Sequence, residues 1–248
     1  MKILFISLGC DKNLADSEEM LGLLTGNGHE IVDSEEEADA IVINTCCFIH
    51  DAKEESVNTI LEMAEYKKTG TCKILIVTGC MAQRYKEEIT KEIPEVDAVL
   101  GTTSYGDIVK ALNEAEAGHV FQEFKDINAL PEDSGRRVIT TGGHFGYLKI
   151  AEGCDKHCTY CIIPSLRGKF RSVPEERLLQ QAEYMASQGV RELILVAQET
   201  TVYGTDLYGK KTLHILLKKL CQIKGIRWIR VLYCYPEEIY DELIQTMK

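Results

Sequence analysis

The chain has 248 residues, 28 of them Lys or Arg and 39 Asp or Glu, for a formal net charge of -11, and it carries ten cysteines. A hydrophobic share of 45% with 27% charged residues excludes global disorder and fits one large or two ordinary globular domains with a sizeable core. No apolar run approaches the roughly 18 residues of a membrane-spanning helix, and the opening MKILFISLGCDKN is too short in its apolar core for a signal peptide. A cytoplasmic protein without membrane attachment is therefore expected. The acidic balance weighs against gripping a nucleic-acid backbone by charge alone and suits a basic partner better.

Strands are predicted at Lys2–Leu8, His29–Val32, Ala40–Thr45, Lys73–Thr78 and Val96–Leu100, with helices at Ser17–Leu24, Ala52–Tyr66, Ala82–Ile93 and Tyr105–Ala115. Asp16 or Ser17 reads as the cap that starts the first helix, and Gly26 and Gly28 as its close. Apolar, β-branched strands alternating with helices imply a parallel sheet in a βαβ layout. From about Glu116 to Arg137 the pattern fades into Gly, Pro and charge, which reads as a linker. A second alternation follows: strand Tyr147–Glu152, helix Glu175–Gln188, strand Glu192–Ala197, helix Thr212–Ile223, strand Trp228–Tyr233 and a helix from Pro236 onward. Three βα units are fewer than a closed eight-unit barrel of about 200 residues requires. The chain also ends inside an amphipathic pattern, so a C-terminally truncated protein is expected. The fold class expected is α/β: an N-terminal domain over 1–116, a linker over 117–137, and a partial, truncated barrel over 138–248.

The strongest chemical signal is GCDKHCTYC, which sets Cys154, Cys158 and Cys161 at CxxxCxxC spacing just after a strand. Ten cysteines in a reducing cytosol point to metal binding or catalysis rather than disulfides. Structural zinc would call for a fourth ligand, whereas an iron–sulfur cluster uses three thiolates and can leave one iron open. Three further cysteines, Cys10, Cys46 and Cys80, each follow the C-terminal end of an apolar run. In a parallel sheet those ends share one edge, where open α/β folds bind ligands. Position alone leaves a second cluster and ordinary small strand-end residues about equally favoured. Cys47 points away from Cys46 in an extended chain. Cys72, Cys221 and Cys234 lack ligand spacing, and none of these four is given a role.

The CxxxCxxC motif with an aromatic residue before its last cysteine resembles the radical S-adenosylmethionine (SAM) superfamily. The wider stretch YLKIAEGCDKHCTYCIIPSLRGKFRS is similar to its methylthiotransferase family. That resemblance implies two 4Fe–4S clusters, an auxiliary one on Cys10, Cys46 and Cys80 and a SAM-binding one on Cys154, Cys158 and Cys161. It also implies SAM as methyl donor and as the source of a 5′-deoxyadenosyl radical, with a partial radical SAM barrel and no room for the C-terminal TRAM domain. SLGCDKNLADSEEMLG, TTVYGTDLYGK and YCYPEEI resemble the RimO type, which methylthiolates the β-carbon of an aspartate in small-subunit ribosomal protein twelve. The alternatives are the MiaB type, which acts on adenosine in transfer RNA, and a catalytically incomplete iron–sulfur-binding fragment. An electron donor such as flavodoxin or ferredoxin and a sulfur donor are implied partners.

Loop residues after strand ends, Pro164, Arg167, Gly168, Gln198, Glu199, Tyr203 and Tyr208, are candidates for contacting SAM or substrate. For each of them a solvated loop or a satisfied hydrogen bond is the more common outcome. The run Arg167, Lys169, Arg171 could hold a carboxylate or phosphate, though such runs are usually solvated. His157 reads as a polar spacer.

Overall fold

A computed structural model of the chain describes residues 1–132, 135 and 137–248. It divides into two units: Met1–Val138 with Thr159–Arg167, and Ile139–Cys158 with Gly168–Lys248.

The first unit is an α/β fold on a six-stranded parallel sheet. Its elements are β1 (Lys2–Ser7), α1 (Asp11–Gly26), β2 (Glu30–Val32), β3 (Ala40–Thr45), α2 (His50–Thr69), β4 (Ile74–Gly79), α3 (Cys80–Arg84), α4 (Lys86–Glu92), β5 (Ala98–Leu100), α5 (Ile108–Glu116) and β6 (Phe121–Glu123). The strands run in the order β2-β1-β3-β4-β5-β6, every neighbouring pair parallel. Side chains of a strand alternate between faces, and both faces are covered here. Ile41, Ile43, Leu75 and Val77 pack with Ile60, Met63 and Ala64 of α2 and Ile89 of α4. Val42, Ile74 and Ile76 pack with Met20 and Leu24 of α1 and Ile108, Ala111 and Leu112 of α5. Burial on both sides explains why β3 and β4 read as unbroken apolar runs.

Three departures from the sequence reading concern the site. Helix α1 starts at Asp11 with Cys10 as its N-cap, not at Ser17. Its first turns carry Lys12, Asn13, Asp16, Ser17, Glu18 and Glu19, all buried, and polar residues in that number read as loop in one dimension. The predicted helix over 82–93 is two, α3 and α4, broken at Tyr85. A sixth strand, β6, lies in the stretch read as linker and pairs Phe121 with Ala98. Asp133, Ser134 and Arg136 of that stretch lie outside the described residues.

The second unit holds β7 (Phe145–Lys149), β8 (Ala151–Glu152), β9 (Arg171–Ser172), α7 (Glu175–Ser187), β10 (Glu192–Val196), α8 (Thr205–Tyr208), α9 (Leu213–Leu220), β11 (Trp228–Val231) and α10 (Asp241–Met247). Between β8 and β9 the chain forms α6 (Ile163–Arg167), which groups with the first unit. β7, β10 and β11 make a parallel sheet in that order, and β8 and β9 pair antiparallel. The strand expected over 147–152 is thus split in two, its second part turning to meet β9. Among the described residues no helix is long and apolar enough to cross a membrane.

Ile43 is completely buried in a strand flanked on both sides. Ile43→Ala should lower stability by about 2–5 kcal/mol in urea unfolding, while Val120→Ala, at a 69% exposed position, should change it by less than about 0.5 kcal/mol. Equal midpoints for the two variants would contradict this packing.

Candidate iron–sulfur sites

The strand order of the first unit reverses between β1 and β3, since β2 lies outside β1 while β4 and β5 follow β3. At such a switch point the connections leave in opposite directions and open a crevice at the carboxyl ends of the strands. Cys10 follows β1, Cys46 follows β3, and Cys80 follows β4 directly as the first residue of α3. The three thiols are close enough to feel one another's charge. Burial pushes the Cys46 thiol up, and a charged Cys10 adds to that. Burial pushes Cys80 up to about 11, with Arg167 opposing and Cys46 and Cys10 reinforcing. A cation bound at Cys46 and Cys80 would offset that burial by favouring their thiolates.

The backbone around them is held by side chains. Ser56 Oγ accepts from Cys46 N at 3.0 Å and donates to Cys46 O at 2.8 Å. Asn13 Nδ2 donates to Leu8 O at 3.1 Å and Thr45 O at 2.9 Å, tying the ends of β1 and β3 together. Asn44 Nδ2 returns to Asn13 O and Ser17 Oγ, both at 2.9 Å. Gly79, before Cys80, has φ +93°, and a Cβ there would lie 2.3 Å from Asn44 Oδ1 and 2.5 Å from Thr45 O. Only glycine fits that turn.

Arg167, at the end of the short helix that follows Cys161, groups with the first unit, its guanidinium bound to Asp16 Oδ2 at 2.8 Å and Asn13 Oδ1 at 2.5 Å. Leu166 joins the apolar core, and its carbonyl accepts from Thr102 Oγ1 at 2.7 Å. The neighbouring buried acid Glu18 pairs with Arg137 at 2.6 Å, and Tyr105 donates its hydroxyl to Glu19 at 3.1 Å. Of the run Arg167, Lys169 and Arg171, the first is buried, the second exposed, and the third sits in β9.

In the second unit, Cys154 N donates to Gly168 O at 3.1 Å and Asp155 Oδ1 accepts from Phe170 N at 3.0 Å. Cys154 opens onto a cavity of about 260 Å³ whose lining includes Lys156, Phe170, Glu199, Lys211 and Glu238. Glu238 bridges Lys156 at 3.1 Å and Lys211 at 2.9 Å, and both lysines hold its carboxyl below the usual range. Glu199 is 2% exposed; its Oε1 accepts from Thr201 N at 3.0 Å, while its Oε2 is buried with no hydrogen bond among the described residues. Tyr203 spends its hydroxyl on Val173 O at 2.9 Å, a structural contact, and Tyr208, Lys169 and His157 are exposed. Cys158 is partly exposed in the second unit, and Cys161 and Pro164, also partly exposed, group with the first. Cys47 and Cys72 are core residues, Cys221 is exposed, and Cys234 is partly buried.

Among the described residues no three His, Cys, Asp or Glu side chains are arranged around a single metal ion. A four-iron cluster places each thiolate on a different iron, so its ligands sit farther apart than those of one ion. Three thiols at one crevice beside a buried guanidinium fit such a group. A cavity with an orphaned carboxylate oxygen and two lysines, next to Cys154, fits a ligand carrying both ammonium and carboxylate.

The comparisons with known proteins agree with this chemistry. Residues 2–101 match uncharacterized protein family UPF0004, and residues 148–248 match the radical SAM superfamily. The chain is 66% identical over its whole length to ribosomal protein uS12 methylthiotransferase RimO of Lachnoclostridium phytofermentans, 54% over 99% of its length to that of Clostridium botulinum (strain Eklund 17B), and 52% over its whole length to that of Clostridioides difficile. The chain spans 55–56% of the length of these relatives. In fold it is similar to the radical SAM methyltransferase TsrM of Kitasatospora setae, with a TM-score of 0.61 at 11% identity over 99% of this chain and 56% of that one. The cobalamin-dependent radical SAM enzyme OxsB gives 0.54 at 15% identity, over 92% of this chain and 38% of that one.

Gly79→Ala should cost about 1–3 kcal/mol in urea unfolding through its positive φ and should reduce the iron retained after reconstitution. Parent-like stability with parent-like iron would contradict the tight turn before Cys80.

Proposed function

We propose that this chain carries the cluster-binding and SAM-binding parts of a methylthiotransferase that modifies the β-carbon of an aspartate in small-subunit ribosomal protein twelve. The observation that carries the reading is the presence of two separate three-cysteine sets, one at the switch point of a doubly covered parallel sheet and one at CxxxCxxC spacing beside a polar cavity. Cys10, Cys46 and Cys80 would hold the auxiliary 4Fe–4S cluster, and Cys154, Cys158 and Cys161 the SAM-binding one. In domain terms, 1–116 would be the methylthiotransferase domain, 117–137 a connection, and 138–248 the radical SAM core.

When bound, the clusters and SAM supply the electron, the hydrogen-abstracting radical, the methyl group and the sulfur. The chain's own residues bind and orient. Lys156 and Lys211 offer cations to a carboxylate, and Glu199 Oε2 offers an acceptor to an ammonium or hydroxyl. Phe170 and Val202 supply apolar wall to the same cavity, where exclusion of water protects reactive species from side reactions. The net charge of -11 favours a basic ribosomal protein over a polyanion as substrate. The 66% identity to a uS12 methylthiotransferase supports that substrate, and the same reading carries a cytoplasmic setting, an electron donor such as flavodoxin or ferredoxin, and a sulfur donor.

Anaerobic reconstitution tests the two-cluster assignment. The parent should hold about eight irons, and alanine at Cys10, Cys46 and Cys80, or at Cys154, Cys158 and Cys161, should leave about four. About four in the parent, lost only with the second set, would defeat it. Mass spectrometry of a ribosomal-protein peptide and of transfer RNA after incubation with SAM, reductant and sulfide then separates the substrates: modified aspartate is expected, and modified adenosine would overturn the assignment.

A further inference from the structure

Arg167 has a role that its place in sequence hides. It lies six residues after Cys161, groups with the first unit as that cysteine does, and is 3% exposed. Its guanidinium meets Asp16 at 2.8 Å and Asn13 Oδ1 at 2.5 Å, and its charge acts on the Cys80 thiol to favour the thiolate. The Cys80 thiol also faces Asn13 Oδ1 at 3.9 Å. Asn13 in turn is pinned to Leu8 O and Thr45 O, the strand ends that lead to Cys10 and Cys46. One buried cation is thus wired to the supports of all three cysteines.

Stability alone does not account for it. A buried Arg–Asp pair is often no more stabilising than an apolar pair of similar volume, because two charges have been stripped of water. An iron–sulfur cluster changes the balance. Its sulfurs carry negative charge that grows on one-electron reduction, and hydrogen bonds and nearby charge set its potential.

We propose that Arg167 is a positioning residue of the auxiliary cluster, holding the Cys80 sulfur in place and raising the cluster's reduction potential. The inference rests on the reading that Cys10, Cys46 and Cys80 hold a cluster. Asp16 is then the counter-ion that makes the guanidinium tolerable when the site is empty and aims it at the sulfur. Asn13 transmits the position of the guanidinium to the ends of β1 and β3.

The test uses the full chain with Cys154, Cys158 and Cys161 changed to Ala, so that one cluster alone reports. Iron and sulfide are counted after reconstitution, and the potential is titrated by electron paramagnetic resonance of the reduced cluster. Three proteins are compared: this background, the same with Asp16→Asn, and the same with Asp16→Asn and Arg167→Gln. The double change replaces both charges by neutral hydrogen-bonding groups and so leaves no unpaired buried charge. Freed from its counter-ion, the guanidinium in Asp16→Asn should move the potential positive. Its removal in the double variant should move the potential negative of both others and speed iron loss to a chelator several-fold. Coinciding potentials for the single and double variants would overturn the role of Arg167. Where the double variant does not fold, as read by circular dichroism, an unmoved potential in Asp16→Asn overturns it equally. A background protein that binds no iron would instead defeat the auxiliary cluster itself, an outcome separate from iron bound with an indifferent potential.

Discussion

The first unit depends on one buried polar junction, in which Asn13 ties the ends of β1 and β3 together while accepting from Arg167. Strand ends in a parallel sheet leave carbonyls without ladder partners, and in a buried setting each of those must be met. The Asn13 side chain meets two of them with one amide. Asn44 and Ser17 extend the network to the body of α1, so the helix is docked by hydrogen bonds at its start and by Met20 and Leu24 farther along. The cysteines sit on the chain that this junction holds in place.

That arrangement explains the unusual polarity of α1. Asp16, Glu18 and Glu19 are buried near its middle, where a helix on a sheet ordinarily presents apolar side chains. Each has a partner supplied from far along the chain: Arg167, Arg137 and Tyr105. A buried carboxylate without a partner would cost several kcal/mol, so these contacts are conditions for folding α1 against the sheet at all. The second unit spends polar groups differently. Lys156, Lys211 and Glu238 form a linked set, and one oxygen of Glu199 has no protein hydrogen bond among the described residues. A ligand with its own donors can complete what the fold leaves open there.

The two cysteine sets also differ in how they are built. Cys154, Cys158 and Cys161 lie within eight residues of chain, and their spacing is readable on its own. Cys10, Cys46 and Cys80 are tens of residues apart and meet because β1, β3 and β4 are adjacent and parallel. Their shared edge was legible only through the inference that apolar, β-branched runs alternating with helices make a parallel sheet. Within that inference the position after each strand was enough.

Periodicity and strand composition by themselves determined the α/β class, the central strands Ala40–Thr45 and 74–78, the helices α2, α5, α7 and α9 to within a few residues, and the CxxxCxxC motif. These are properties of local chain: side-chain alternation, β-branching and covalent spacing act over a few residues. Tertiary structure decided where α1 begins, that β6 joins the sheet, and that Arg167 belongs beside Asp16 and Asn13. Each of those is set by partners a hundred or more residues away or by the edge of an existing sheet. Asp16 in isolation is a good helix cap, and it becomes an interior residue only because Arg167 is there to neutralise it. Phe121–Glu123 is a short stretch with one apolar residue that becomes a strand because β5 offers it a ladder. A buried charge pair leaves no periodic trace in sequence, since what makes it tolerable is the fold around it.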